Sequence, residues 1–280
     1  MSDENNSHVF NRRLDFNDFI SSDFDAKTLA EKTVRKLIVI CTVPRTAGHT
    51  LCRHMTANNW GIPTEYYLPD IAIPLFNRWS ANPVHSMQDV LSRQAEYTGH
   101  LVNRRTVDGI FSVKLFPHQW QQFVGGLSQR ARTKERHCIL LQREDLLEQT
   151  ISSLATLLTQ RPSFSSIELP GLTKIDQVDL DLVRRTFEWL LEKEAQWPRL
   201  ISNYGGTLHR VSSEELIDNP SATLSALADK MGLALNRAAT SQSIALEQNG
   251  VYQTNQKIKD ELRLKFSPVL RKLMSSVRRP

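Results

Sequence analysis

The sequence predicts an α/β fold built on a three-layer parallel sheet, with a P-loop-like turn after the first strand. Three observations predict it. Leu37 to Cys41 (LIVIC) is a continuously apolar, β-branched run that closes at Pro44, the pattern of a strand buried on both faces. Comparable runs recur at Phe111 to Leu115 (FSVKL), Cys138 to Leu141 (CILL) and Thr207 to Val211 (TLHRV), spaced widely enough for helices between them. Alternation of buried strands with helix-length segments is the signature of a parallel sheet covered on both faces.

The helices announce themselves after the third and fourth runs. Glu144 and Asp145 place negative charge at a helix start, and Leu147, Ile151, Leu154 and Leu158 follow on one stripe. From about Asp179 to Asn203 a longer stripe holds Val183, Phe187, Leu190, Trp197 and Ile201, stopped by Gly205-Gly206. Asn219-Pro220 opens a helix that Gly232 closes, and Lys257 to Ser276 is basic with a helical period. No repeat or low-complexity tract is present.

The chain has 280 residues, 40% of them apolar and 23% charged, a composition that supports one large core. No Gly/Ser-rich or Pro-rich linker divides the interior, so the expected organisation is a mobile N-terminal arm over 1–34 and one domain over 35–280. The arm carries isolated aromatics (Phe10, Phe16, Phe19, Phe24) for which the body and a partner subunit are both available surfaces, and a homodimer stays open. Met1 to Ser7 is acidic and polar, and no apolar stretch approaches the roughly 20 residues a bilayer requires, which points to a cytoplasmic protein without a transmembrane segment. Cys41, Cys52 and Cys138 have no metal-ligand spacing and read as buried thiols. The net charge of +5 favours anionic ligands. Its basic residues are scattered apart from a C-terminal cluster, and no RNA-reading or zinc-finger pattern accompanies them, so nucleic acid is not the expected partner.

The chemistry concentrates after the first strand, at Val43-Pro44-Arg45-Thr46-Ala47-Gly48-His49-Thr50-Leu51, which runs into a helical stretch to about Asn58. A strand, a tight loop of small residues and a helix start together form an anion cradle, because unpaired backbone N–H groups converge there. Arg45, Thr46 and Thr50 are candidate side-chain donors. Against the Walker A pattern the first glycine is Val43 and the lysine is His49, so the triphosphate and magnesium requirements fail and no metal is expected. Such a cradle suits a less charged transferring group, such as a sulfo group on a phosphate.

Pro44-Arg45-Thr46-Ala47 followed by Leu51-Cys52-Arg53 resembles the loop of the bacterial sulfotransferase family that includes trehalose 2-sulfotransferase and the nodulation-factor sulfotransferase. Further segments resemble that family in order: Gly61-Ile62-Pro63-Thr64-Glu65-Tyr66, Ser112-Val113-Lys114-Leu115-Phe116, Leu141-Gln142-Arg143 with Ser152, Glu194 to Trp197, and Val211 to Leu216. The resemblance spans about Lys36 to Phe266. It departs from the family at Ser112, where glycine is usual, at Ser213, where tyrosine is usual, and at His49, which matches the nodulation-factor branch and not the trehalose branch.

The resemblance implies a sulfotransferase topology and 3'-phosphoadenosine-5'-phosphosulfate (PAPS) as donor, with 3',5'-adenosine bisphosphate as product. It implies a hydroxyl of a carbohydrate, glycolipid or similar small molecule as acceptor. The donor would lie on the cradle of Arg45, Thr46, Ala47, Gly48, His49 and Thr50, with its 3'-phosphate against Arg143 and Ser152. Glu65 takes the place of the general base, Lys114 faces the donor or the leaving group, and His49 has two roles open, stabiliser of the sulfo oxygens or alternative base. Each residue also has a plainer explanation: an exposed loop glutamate, a lysine snorkelling from a strand end, a structural loop histidine, a helix-surface serine. Trp197 suits the core better than an adenine stack, and Gln253 to Ile258 is the segment that resembles a closing C-terminal loop. Two rival functions remain, a nucleotide-dependent kinase of P-loop fold and a non-catalytic binding protein with the sulfotransferase fold.

Overall fold

In the computed structural model, which describes residues 14–26, 33–159, 174–249 and 256–276, the LIVIC run lies inside β1 (Lys36–Thr42), an inner strand of the sheet. Its companions are β2 (Ile110–Leu115), β3 (Glu135–Gln142) and β4 (Thr207–Ser212), all parallel, in the order β2-β1-β3-β4. Each contains one of the four apolar runs of the sequence.

Side chains alternate across β1, and both faces are buried, as its unbroken apolar composition requires. Leu37, Val39 and Cys41 pack with Trp120, Phe123, Trp197 and Ile201, while Ile38 and Ile40 pack on the opposite face with Leu51, Met55, Leu224 and Met231. The first layer is carried by α2 (Pro69–Trp79), α4 (Gln94–Arg105), α5 (Pro117–Ala131) and α7 (Leu180–Ser202), with the short α3 (Met87–Ser92) between α2 and α4. The second is carried by α1 (Gly48–Ala57) and α9 (Pro220–Met231), which α8 (Ser213–Asp218) precedes and α10 (Arg237–Asn249) follows. A separate apolar cluster joins α6 (Leu146–Leu158), α7 and α11 (Gln256–Ser276) through Leu154, Phe187, Leu262 and Phe266.

In the N-terminal segment, Leu14, Phe19 and Phe24 are buried in the second layer, so for Phe19 and Phe24 the docking surface is the body. Arg105, fully buried, holds this segment by pairing with Asp25 at 3.0 Å and donating to the Phe19 carbonyl at 3.0 Å. Trp197 is 1% exposed and meets Trp120 edge-on at 5.5 Å, which places it in the core and away from any ligand. Of the closing segment expected at 253–258, residues 253–255 lie outside the described residues and the remainder opens α11.

The register sets the functional edge. Cys41 of β1 lies opposite Leu115 of β2 and Leu140 of β3, so the carboxyl ends of three adjacent strands are level. The chain leaves β1 for β2 on one side and β3 on the other, and this reversal opens a crevice beyond the strand ends, where α/β folds bind ligands.

The Gly61-Ile62-Pro63-Thr64 segment lies along β2, with the Lys114 amide donating to the Thr64 carbonyl at 3.1 Å. Gly61 has φ +82, and a Cβ there would stand 2.1 Å from Ser112 Oγ and 2.9 Å from the Ser112 amide nitrogen. Gly61→Ala should therefore cost on the order of 2–3 kcal/mol, read from urea unfolding. Gly125→Ala, inside α5 where a Cβ would meet nothing within 4 Å, should instead stabilise by about 0.5–1 kcal/mol.

Candidate active site

The loop between β1 and α1 gets its shape from two residues in the left-handed region, Arg45 (φ 68) and Ala47 (φ 57). Left-handed residues interleaved in a tight turn face successive amides to one side, and non-glycine residues adopt that conformation only when their surroundings hold them. The hold comes from below. Thr42 Oγ1 and Thr46 Oγ1 are hydrogen-bonded to each other, one donating to the other, and the hydroxyl that accepts donates in turn to a carbonyl, with Leu141 O at 2.9 Å from Thr42 Oγ1 and Val43 O at 3.1 Å from Thr46 Oγ1. The Thr46 hydroxyl, expected from sequence as an anion donor, thus faces inward, which leaves the backbone as Thr46's contribution to the cradle. Ala47 is the N-cap of α1 and has no side chain to cap it, so the first amides of the helix are without intrahelical partners.

Glu65 and Lys114 meet beside this cradle. Glu65 is 2% exposed and Lys114 5%, and Lys114 Nζ pairs with Glu65 Oε1. The lysine therefore does not snorkel, and the glutamate is no exposed loop residue. Lys114 lies across Gly48, where an added Cβ would stand 2.7 Å from Cε and 2.9 Å from Nζ, so the glycine leaves the room that the lysine fills. His49 Nε2 lies 3.3 Å from the same Glu65 Oε1. Burial raises the Glu65 carboxyl, but the Lys114 charge and His49 outweigh it and hold it at about 2. Burial, followed by the nearby Lys114 charge, lowers His49, which favours the neutral imidazole.

At the end of β3, Arg143 Nη1 donates to the Arg45 carbonyl at 3.3 Å, and Arg45 Nε donates to Ser152 Oγ of α6 at 2.8 Å. The two arginines share one site, and Ser152, 3% exposed, faces into it. Gln149 Nε2, one turn before Ser152, donates to the Pro44 carbonyl at 2.8 Å and fastens α6 to the cradle loop. Two motif residues that sequence left without a role support this end. Glu214, in the first turn of α8, accepts the amides of Glu144 and Asp145 at 3.1 and 3.2 Å and stands 3.9 Å from Arg143 Nε. Glu194 of α7 accepts from Gln142 Nε2 at 3.0 Å.

One cavity of about 390 Å³ is lined by all ten residues singled out from sequence: Arg45 through Thr50, Glu65, Lys114, Arg143 and Ser152. Its walls include others that sequence did not name as site residues: Phe116, His54, the apolar trio Leu216, Ile217 and Pro220, Ile244 and Glu247 of α10, and Lys259 of α11. Glu247 accepts the fork of Arg53 and the hydroxyl of Thr50 at 3.1 Å, so Thr50, like Thr46, directs its hydroxyl to a protein partner. His54 Nδ1 contacts Ser243 Oγ at 2.7 Å and completes the bond between α1 and α10. A periodic reading misses α10 because its stretch from Ala238 to Ser243 is small and polar.

Among the described residues no helix is long and apolar enough to cross a membrane, and no group of His, Cys, Asp and Glu is placed to hold a metal. The three cysteines are free and buried.

No protein-family profile matches the sequence, and no curated protein matches it significantly. Among solved structures, the chain is similar to the sulfotransferase domain from the curacin biosynthetic pathway, with 14% identity over 84% of this chain and 98% of that one and a TM-score of 0.42. It is similar to mouse sulfotransferase SULT7A1 complexed with PAP, with 12% identity over 81% and 70% and a TM-score of 0.42. The sulfotransferase domain of the Synechococcus PCC 7002 olefin synthase gives 13% identity over 85% and 96% and a TM-score of 0.41. At this degree of likeness, function has to come from the site's own geometry.

The Glu65 carboxyl is depressed in the folded chain, so the stability it contributes is complete above its ordinary value of 4.5 and is lost as pH falls toward about 2. Glu65→Gln should lower the urea midpoint at pH 6, and the gap to the wild type should narrow once pH drops below about 4.5.

Proposed function

We propose that the protein is a sulfotransferase that moves a sulfo group from PAPS to a hydroxyl of a carbohydrate, glycolipid or similar small acceptor. The observation that carries this reading is the meeting of Arg45 and Arg143, from the ends of adjacent strands, within 3.3 Å of each other in one cavity, with Arg45 bonded to Ser152. The uncapped start of α1, Lys114 and the two arginines all line that cavity. A ligand with an anion at each end fits such a site, as do the phosphosulfate and the 3'-phosphate of PAPS. The volume of about 390 Å³ is within the range of small-ligand sites, and the apolar trio Leu216, Ile217 and Pro220 offers a surface for a flat base.

Transfer in this geometry is in-line. The acceptor oxygen attacks sulfur while the bond from sulfur to the 5'-phosphate oxygen breaks, and the electron pair leaves with 3',5'-adenosine bisphosphate. A loose transition state places its charge on the sulfo and leaving oxygens, where the α1 amides and Lys114 already point positive charge. The acceptor's proton leaves at the Glu65–His49 pair. The three buried free thiols support a reducing, cytoplasmic setting.

Calorimetry should find 3',5'-adenosine bisphosphate bound more tightly than AMP, and Arg143→Ala should erase about tenfold to a hundredfold of that preference. Equal affinity for the two ligands in the wild type would overturn the assignment. Labelled donor incubated with a small-metabolite extract should then yield a sulfated product identifiable by mass.

A further inference from the structure

Lys259 brings the first turn of α11 to the cavity wall, and the basic stretch that follows it has no part in the chemistry above. From Leu262 to Pro280 the sequence holds six basic residues, Arg263, Lys265, Arg271, Lys272, Arg278 and Arg279, and no acidic one. Where the structure describes this stretch, it is amphipathic. Leu262, Phe266 and Leu270 pack with Leu154 and Phe187, and the opposite face is exposed.

Two contacts fix which way that face turns. On one flank Arg263 forks onto Glu148 of α6, with Nη2 2.7 Å from Oε2, and on the other Lys265 Nζ donates at 3.1 Å to the carbonyl of Val178, just before α7. Leu264, between those two residues, therefore stands on the outward crest of α11, and it is 87% exposed. Lys257, Pro268 and Arg271, one or two turns away, are exposed on the same crest, with Lys265 and Lys272 exposed beside it. The acidic residues of the helix, Asp260 and Glu261, belong to its first half, and Asp260 is paired with Arg263. A leucine so placed contributes nothing to the core.

We propose that α11 docks the protein on an anionic lipid surface, with Leu264 entering the headgroup layer while Lys265, Arg271 and Lys272 pair with lipid phosphates. The charge selects an anionic partner. The leucine on the crest then separates a lipid surface from a nucleic-acid backbone, which offers an apolar side chain nothing to bury itself in. The step from Lys259 to Leu264 spans about 7.5 Å of helix, so docking holds the cavity beside the headgroups. Ile217, a wall residue of the cavity that is 59% exposed, adds an apolar group there. The docking stands apart from the transfer chemistry; the choice it makes among acceptors, a glycolipid over a free carbohydrate, rests on the sulfotransferase reading.

Flotation of the full chain with vesicles tests the docking. Mixed phosphatidylserine and phosphatidylcholine vesicles should carry the protein at low salt, and phosphatidylcholine alone should not. Leu264→Glu and the double change Arg271→Glu with Lys272→Glu should each weaken flotation by about tenfold or more, with the urea midpoint unchanged to show that the variants are folded. Absence of flotation, equal flotation on the two kinds of vesicle, or unchanged flotation of a folded variant overturns the docking. Retention on duplex DNA without flotation assigns the cations to nucleic acid and overturns it as well. Labelled donor incubated in parallel with a lipid extract and a water-soluble extract should label a product that partitions into organic solvent. Label confined to water-soluble products overturns the glycolipid choice and leaves the docking standing, and label in neither extract overturns the sulfotransferase reading.

Discussion

The buried pair of Lys114 and Glu65 is the interaction on which the site depends. Moving both charges out of water carries a desolvation cost that their attraction does not reliably return, so the pair is better understood as fixing charge in place than as stabilising the fold. Its geometry is set by the backbone: the Thr64 carbonyl accepts the Lys114 amide and brings the residue after Thr64 alongside the strand. Gly48 completes the arrangement by omitting a side chain where the lysine stem passes. The ammonium then serves the cradle and the carboxylate together, holding one ionised and lending positive charge to the other.

The cradle itself shows a division between side chains and backbone. Thr42 and Thr46 turn their hydroxyls down toward Val43 and Leu141, and that inward network holds Arg45 and Ala47 in a conformation that costs energy for residues with a Cβ. The amides are left facing outward. Small polar residues in this loop are therefore scaffolding, and under the proposed function anion binding falls to the main chain and Arg45.

The sheet was legible because each strand is a short apolar run and β1 is apolar on both faces, whereas Glu65 and Lys114, each with a plainer structural explanation, and Arg143 were singled out by the resemblance of their segments to one family's motifs, and Arg45 by that resemblance together with the small-residue turn it occupies. The helices on either side of β2 were not legible: Pro74 inside α2 and Gly125-Gly126 inside α5 look like breaks, and only the packing around Trp120, Tyr97 and Phe123 overrides those signals. The hydroxyls of Thr46 and Thr50 were assigned outward because sequence cannot display the competing acceptors, the Val43 carbonyl in one case and the Glu247 carboxylate in the other. Glu247 sits far along the chain from its partners on a helix of weak apolar pattern, so no local spacing connects it to α1. Glu214 belonged to a quoted motif, yet its task of holding two amides of another loop is visible only once β3 and β4 are side by side.

The position of β1 between β2 and β3 has a kinetic side. Lys36 must find both Ile110 and Glu135 across long intervening stretches before any edge of the sheet is complete. Closing such loops is entropically expensive and is rewarded only after the distant strands arrive, which makes assembly slow relative to a chain of local contacts. The cavity draws on residues as far apart as Arg45 and Lys259, so it is complete only when the distant strands and α11 are all in place.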